Sequence, residues 1–198
     1  SRFQLNIFGN PRNSIYTKFS AGILEDMFVG FGGEVLYRPF ASMFAVGAEV
    51  WRVQQRDYQM LFGLKDYETT TGHITGYLHH PGTGIQFKLS GGRYLAEDSG
   101  LTFDFSRMFD SGVQIGAWFS KTDISAEEFG EGSFDKGFYF NVPIDSFFTK
   151  YNRGYTGFGL RPLTRDGAAK IGPGYHLYGV TDQGSITNIL KDWETIYD

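Results

Sequence analysis

The chain has 198 residues, a net charge of −4 and no cysteine. The lack of cysteine excludes disulfides and thiolate zinc sites, and the mildly acidic balance argues against a nucleic-acid-binding surface, which needs a basic stripe. No run of about 18 apolar residues exists, so the sequence also excludes a transmembrane helix. Instead, 27 Gly, 20 Phe and 12 Tyr favour short strands joined by tight turns.

Alternation of apolar and polar residues predicts about eleven β-strands. The clearest is 99–109, where Leu101, Phe103 and Phe105 share one face and Asp104 lies on the other. In chain order, the predicted strands are residues 2–8, 14–23, 27–38, 43–54, 72–80, 84–92, 99–109, 112–120, 134–142, 154–161 and 174–180. Many of them are close to the roughly 9–11 residues that a tilted strand needs to cross a bilayer.

Two all-β architectures fit this alternation, a soluble β-sandwich and a lipid-facing barrel with a wet interior. The lengths of the connections favour the barrel. Tight turns at 37–42, 80–83 and 109–112 alternate with longer connections at 55–71, 94–99 and 122–133. Outer-membrane barrels show this asymmetry between short periplasmic turns and longer outer loops. We therefore expect an antiparallel transmembrane β-barrel over residues 1–182.

The polar faces of the predicted strands define candidate lumen residues. They supply charges, amides and an aromatic surface suited to sugar chains, although they can equally satisfy one another inside a plugged barrel. The candidates are Lys18, Glu34, Glu49, Gln86, Lys88, Asp104, Gln114 and Tyr139.

The tail, residues 183–198, differs from the strands. Ser185 is a plausible N-cap for an amphipathic helix over 186–197. Such a helix either packs on its own protein or acts as a plug or docking element on the periplasmic side.

No motif predicts catalysis, a cofactor or a metal. His73 and His79 share a strand face but are too far apart to share a metal without partners. Ser106 or Ser120 with His73 lacks the Gly-x-Ser-x-Gly context of a hydrolase. We therefore expect a protein that is not an enzyme.

An acidic segment, residues 123–135, is the most distinctive loop. Its carboxylates could bind Ca²⁺, but they lack EF-hand spacing, and a solvated acidic loop on the outer side is the simpler interpretation. The carboxylates are Asp123, Glu127, Glu128, Glu131 and Asp135.

Several short sequence motifs within residues 91–167 resemble those of a known family. They are Gly-Gly-Arg-Tyr-Leu-Ala-Glu-Asp from Gly91, Phe-Gly-Glu-Gly-Ser-Phe-Asp-Lys-Gly from Phe129, and Arg-Pro-Leu-Thr-Arg-Asp-Gly from Arg161. The chain resembles the C-terminal portion of the YjbH family, which includes the GfcD-like proteins of capsule operons.

This resemblance implies a non-enzymatic β-barrel in the Gram-negative outer membrane that assists export or assembly of exopolysaccharide or capsule. The implied partners are outer-membrane lipid, polysaccharide and other components of an export system. The alternative from the residues alone is a soluble or surface β-sandwich that binds carbohydrate.

An odd number of strands leads to a further expectation. Bacterial single-chain barrels have an even number, because both ends return to the periplasm. With about eleven strands and a start that already alternates like a strand, we expect a fragment of a larger barrel. The missing N-terminal segment or another chain would then pair with strand 2–8.

Overall fold

A computed structural model describes residues 3–57, 63–124, 134–147, 154–161, 167–182, 184–186 and 189. Its main feature is one antiparallel sheet of ten strands, each hydrogen-bonded to its neighbours in sequence. The strands are β1 Phe3–Arg12, β2 Ile15–Glu25, β3 Phe28–Tyr37, β4 Phe44–Arg56, β5 Leu64–His80, β6 Ile85–Arg93, β7 Ser99–Met108, β8 Gln114–Thr122, β9 Asp135–Pro143 and β10 Tyr155–Leu160. A 3₁₀ turn, Ile144–Ser146, follows β9, and a helix, α1 Leu177–Asp182, follows β10.

The predicted all-β antiparallel architecture with a short helix near the C-terminus is confirmed. The strand count is lower than predicted, because 174–180 is not a strand. Its first residues are irregular and continue into α1. Pro173 has no N–H for a ladder, and Gly174 has a φ of 86°, so the backbone there turns instead of extending.

Connection lengths agree only in part with the prediction. Tight turns follow Tyr37, His80 and Met108 as expected, but the long connection predicted at 55–71 is wrong, since β4 reaches Arg56 and β5 begins at Leu64. The polar threonines Thr69 and Thr71 are buried strand residues there. The two ends of the sheet therefore differ less in connection length than the sequence suggested.

The two faces of the sheet differ sharply. One carries large apolar side chains that remain exposed, such as Ile74, Leu101, Phe119 and Phe158. The other carries most of the buried polar residues. Because paired residues share a face, the register places these two sets on opposite sides along the whole sheet.

Residues 167–182, here called the strap, cross the polar face. Ile171 packs into a buried cluster with Leu24, Trp51 and Leu95, and Leu177 packs with Leu36 and Ala45 in a second cluster. The buried core therefore lies between the strap and the polar face of the sheet. The predicted helix 186–197 lies largely outside the described residues.

Within the described part of the chain, the sheet is not closed. β1 and β10 are its two edges, and no described strand lies beyond either one. The expectation that residues 2–8 do not find a second partner strand within this chain agrees with that order, but its premise of an odd strand number is wrong for the ten described strands. No described helix is long and apolar enough to cross a membrane.

Candidate functional site

A row of directly opposed residues crosses the polar face. Lys18 pairs with Glu34, Glu34 with Glu49, and Glu49 with His73 on consecutive strands. Farther along, Lys88 is opposite Asp104. All eight candidate lumen residues lie on this same face. Whether the face lines a lumen remains a prediction.

Lys18 and Glu34 form the most buried ion pair of this row. Their Nζ and Oε2 atoms are 3.3 Å apart, and the side chains are 0% and 7% exposed. Glu34 also accepts hydrogen bonds from the Leu177 backbone N–H at 2.7 Å and from His176 Nδ1 at 2.5 Å. Lys18 donates to the Tyr175 carbonyl oxygen. One ion pair on the sheet therefore holds three consecutive residues of the strap.

Arg38, at the end of β3, holds the helix of the strap. Its guanidinium donates to the Tyr178 carbonyl at 3.0 Å and to Asp182 Oδ1 at 2.7 Å, and it lies 4.4 Å from the centre of the Tyr178 ring. That ring stacks on Tyr77 with centroids 3.9 Å apart. Burial raises the pKa of Tyr178 above its ordinary value, and nearby Arg38 partly offsets the rise.

The N-terminal part of the strap is held by hydrogen bonds to its backbone groups. Asp98 Oδ2 accepts from the Ala168 N–H at 2.8 Å, and Leu95 N–H donates to the Ala169 carbonyl at 2.9 Å. Glu25 accepts from the Gly172 N–H at 3.0 Å. The strap is therefore fixed along its length, as buried irregular backbone must be to satisfy its polar groups.

A second polar network lies on β7, β8 and β9. Tyr139 donates to Asp104 at 3.0 Å, and Gln114 donates to Ser106 at 3.1 Å and accepts from Asn141 at 3.2 Å. Gly116, opposite Tyr139, makes room for the Tyr139 ring, since a Cβ there would lie 2.3 Å from its Cζ.

Between the sheet and the strap lies a polar cavity of about 290 Å³. It brings together six of the eight candidates, while Lys18 and Gln114 lie outside its lining. The six are Glu34, Glu49, Gln86, Lys88, Asp104 and Tyr139. Lys170, His176 and Tyr178 of the strap close its other side.

Sequence reasoning missed the strap residues, because a predicted strand at 174–180 placed His176 and Tyr178 in a sheet. The Gly172-Pro173-Gly174 sequence was the available signal, since it disfavours a strand. Nothing in the sequence alone indicated that Lys170 faces a cavity.

Glu34, Glu49 and His176 have the spacing of a cation site. Their potential ligand atoms all lie within 4.8 Å of one another. Lys18 Nζ, however, already supplies a positive charge to Glu34, and Glu49 accepts from Trp51 Nε1 at 3.0 Å. The arrangement is therefore best described as an ion-pair network.

The serines considered for hydrolysis have other partners. Ser106 accepts from Gln114, and Ser120 is hydrogen-bonded to Thr102 at 2.7 Å. In the part of the chain that the structure describes, neither is bonded to a histidine.

The acidic segment is only partly described, and Glu127, Glu128 and Glu131 lie outside the described residues. Asp123 accepts from the Ser99 N–H at 2.8 Å. Asp135 is 1% exposed and forms an ion pair with Arg161. These two carboxylates therefore fix β7, β9 and the end of β10, and they are not free ligands.

The fold is thus an antiparallel sheet with an exposed apolar face and a polar face that the strap covers. The chain belongs to the YjbH family, described as "Exopolysaccharide biosynthesis protein YbjH", whose model matches residues 1–183. The predicted family resemblance is thus confirmed.

A curated relative is the uncharacterized lipoprotein YjbH of Escherichia coli strain K12. It is 40% identical over 190 residues, which cover 94% of this chain and 27% of the relative. The chain thus spans about 27% of the length of this relative. No solved structure matches the chain.

Proposed function

We propose that this chain forms part of a β-barrel in the bacterial outer membrane, where it assists export or assembly of an exopolysaccharide without being an enzyme. The observation that carries the proposal is the exposed apolar face opposite a buried polar one. Phe158 is 63% exposed, Leu101 58% and Ile74 65%. So large an apolar surface marks contact with a membrane or another protein.

Strand length supports lipid as the occupant of this face. β2 has 11 residues, β3 10 and β7 10, and a tilted strand needs about 9–11 residues to cross the hydrocarbon layer. The polar face would then line the lumen, and the strap would fill part of it. A relative is named a lipoprotein, which also suits a role at a membrane.

The open edges suggest how such a barrel would be completed. In lipid, each unpaired backbone group costs several kcal/mol, so the outer edges of β1 and β10 require partners. We propose that further strands of a longer gene product, or of another chain, supply them.

The soluble carbohydrate-binding alternative predicts a second layer on the apolar face. The described residues place their only covering segment, the strap, on the polar face instead. The polar cavity remains compatible with sugar binding in either case.

Two measurements test the proposal. The purified chain is expected to need detergent to stay monodisperse, and deletion of its gene is expected to lower secreted exopolysaccharide. A chain that is monodisperse without detergent would refute the membrane role. Unchanged secretion in the deletion strain would refute the export role.

A further inference from the structure

Two polar groups that line the cavity and lack partners among the described residues lie beside the Tyr94 ring. His73 is 4% exposed, and its Nε2 has no hydrogen-bond partner in the part of the chain that the structure describes. Its ring lies 4.7 Å from that of Tyr94, centroid to centroid, and Lys170 Nζ lies 5.6 Å from the centre of the same Tyr94 ring. A buried polar atom that stays unpaired loses its hydrogen bonds to water without replacement, so such an atom calls for an explanation.

Lys170 carries a positive charge that the described residues do not neutralise. It forms no ion pair or hydrogen bond with them, and Lys88 faces the same cavity from the sheet. Burial, and after it the Lys88 charge, lowers the pKa of Lys170 to about 8, with Glu49 partly opposing both effects. An anion placed between the two lysines would relieve their repulsion.

The carboxylates that share the cavity are already engaged. Glu49 accepts from Trp51 and lies 3.8 Å from His176. Asp104 accepts from Tyr139, and Glu34 is paired with Lys18. None of the three therefore supplies the missing partner for Lys170.

The tautomer of His73 indicates which second group a molecule bound in the cavity would carry. Its Nδ1 lies 3.7 Å from Glu49 Oε1, which favours the tautomer with the proton on Nδ1. Nε2 is then a lone-pair acceptor, and it requires a donor such as a hydroxyl group. Lys170 and His73 thus call for one anionic group and one hydroxyl group on a single molecule.

We propose that this cavity binds one acidic sugar residue, a pyranose bearing a carboxylate. The carboxylate would accept from Lys170 and Lys88, and a ring hydroxyl would donate to His73 Nε2. The volume of about 290 Å³ is near the lower end of the roughly 300–1,000 Å³ of small-molecule sites, which suits one monosaccharide. The inference rests on the proposed function only in taking a polysaccharide as the source of the sugar.

Saturation-transfer NMR on the purified 198-residue chain in detergent tests the site. The probes are glucuronate and glucose at equal concentration, and inorganic phosphate is added as a competitor. Transfer to glucuronate is expected at least tenfold above that to glucose, and an equimolar amount of phosphate should not displace it. Lys170→Met should abolish it, Lys170→Arg should restore it in part, and His73→Phe should weaken it.

Lys121→Gln is the matched control, since this lysine is exposed on the opposite face and pairs with Leu101. Displacement of glucuronate by equimolar phosphate would overturn the sugar assignment, and unchanged transfer in Lys170→Met would overturn the site. Binding without membrane insertion would refute the proposed function and leave the site intact. Membrane insertion without binding of glucuronate would refute the site and leave the proposed function intact.

Discussion

Lys18 and Glu34 lie directly opposite each other on β2 and β3, with Nζ and Oε2 3.3 Å apart and almost no exposure to solvent. Glu34 simultaneously accepts the backbone N–H of Leu177. This pair therefore joins the sheet to the strap, and its loss should affect both.

Glu34→Gln should loosen the strap, because it leaves Lys18 as a buried charge without its partner. Breaking a buried pair in this way typically costs about 3–5 kcal/mol. Hydrogen exchange at the Leu177 amide measures the effect and should become much faster. Arg52→Gln, which breaks the exposed Arg52–Glu68 pair, should leave that exchange unchanged. Equal protection in both variants would show that the pair does not hold the strap.

Phe103→Arg should block membrane assembly. Phe103 packs between Phe87 and Phe119 on the apolar face, and a cation near the bilayer midplane costs about 2–4 kcal/mol on a lipid-facing position. Asp104→Asn, its neighbour on the polar face, should be milder. The amount of chain in the outer-membrane fraction reports the difference. Equal tolerance of the two changes would contradict the orientation.

Cysteine labelling should distinguish the two ends of the sheet. The β4–β5 and β8–β9 connections lie at the same end, and the β7–β8 turn lies at the other, because successive strands are antiparallel. Ser125→Cys should react with an impermeant reagent on intact cells, whereas Ser111→Cys should react only after permeabilisation. The reverse pattern would invert the proposed topology.

Gly116→Ala should destabilise the second polar network. The new Cβ would lie 2.3 Å from Tyr139 Cζ, and the displaced ring would lose its hydrogen bond to Asp104. Overpacking of this kind typically costs about 1–3 kcal/mol. Gly76→Ala is the control, since a Cβ there meets nothing within 4 Å. Urea unfolding in detergent should separate the variants, and equal midpoints would argue against tight packing at Gly116.

The stability of the folded chain should rise with pH between about 8 and 10. The pKa of Lys170 is lowered to about 8, chiefly by burial, so over this range the unfolded chain binds more protons than the native one, and unfolding becomes less favourable. Above about 10 the raised pKa of Tyr178 acts in the opposite direction. Unfolding free energies at pH 7.5, 9 and 10 measure the rise, which Lys170→Met should remove. An identical rise in that variant would assign it to another group.

Period-two alternation predicted most of the strands and the division into two faces, since side chains alternate across any strand. It failed where polar residues such as Thr69 and Thr71 are buried by the fold, because burial depends on distant segments. The strap could not be predicted for the same reason. Its partners Glu34 and Arg38 are more than a hundred residues away in sequence, and no local pattern encodes that contact.

The central claim, that one face of this sheet contacts lipid and the other lines a polar interior, is tested most directly along β7. The chain has no cysteine, so single cysteines can be placed at each position from 101 to 106 and probed in native outer membranes. A lipid-phase maleimide should label positions 101, 103 and 105, a water-soluble one should label 102 and 104, and the buried position 106 should react with neither. Uniform labelling by the water-soluble reagent at all six positions would contradict the account.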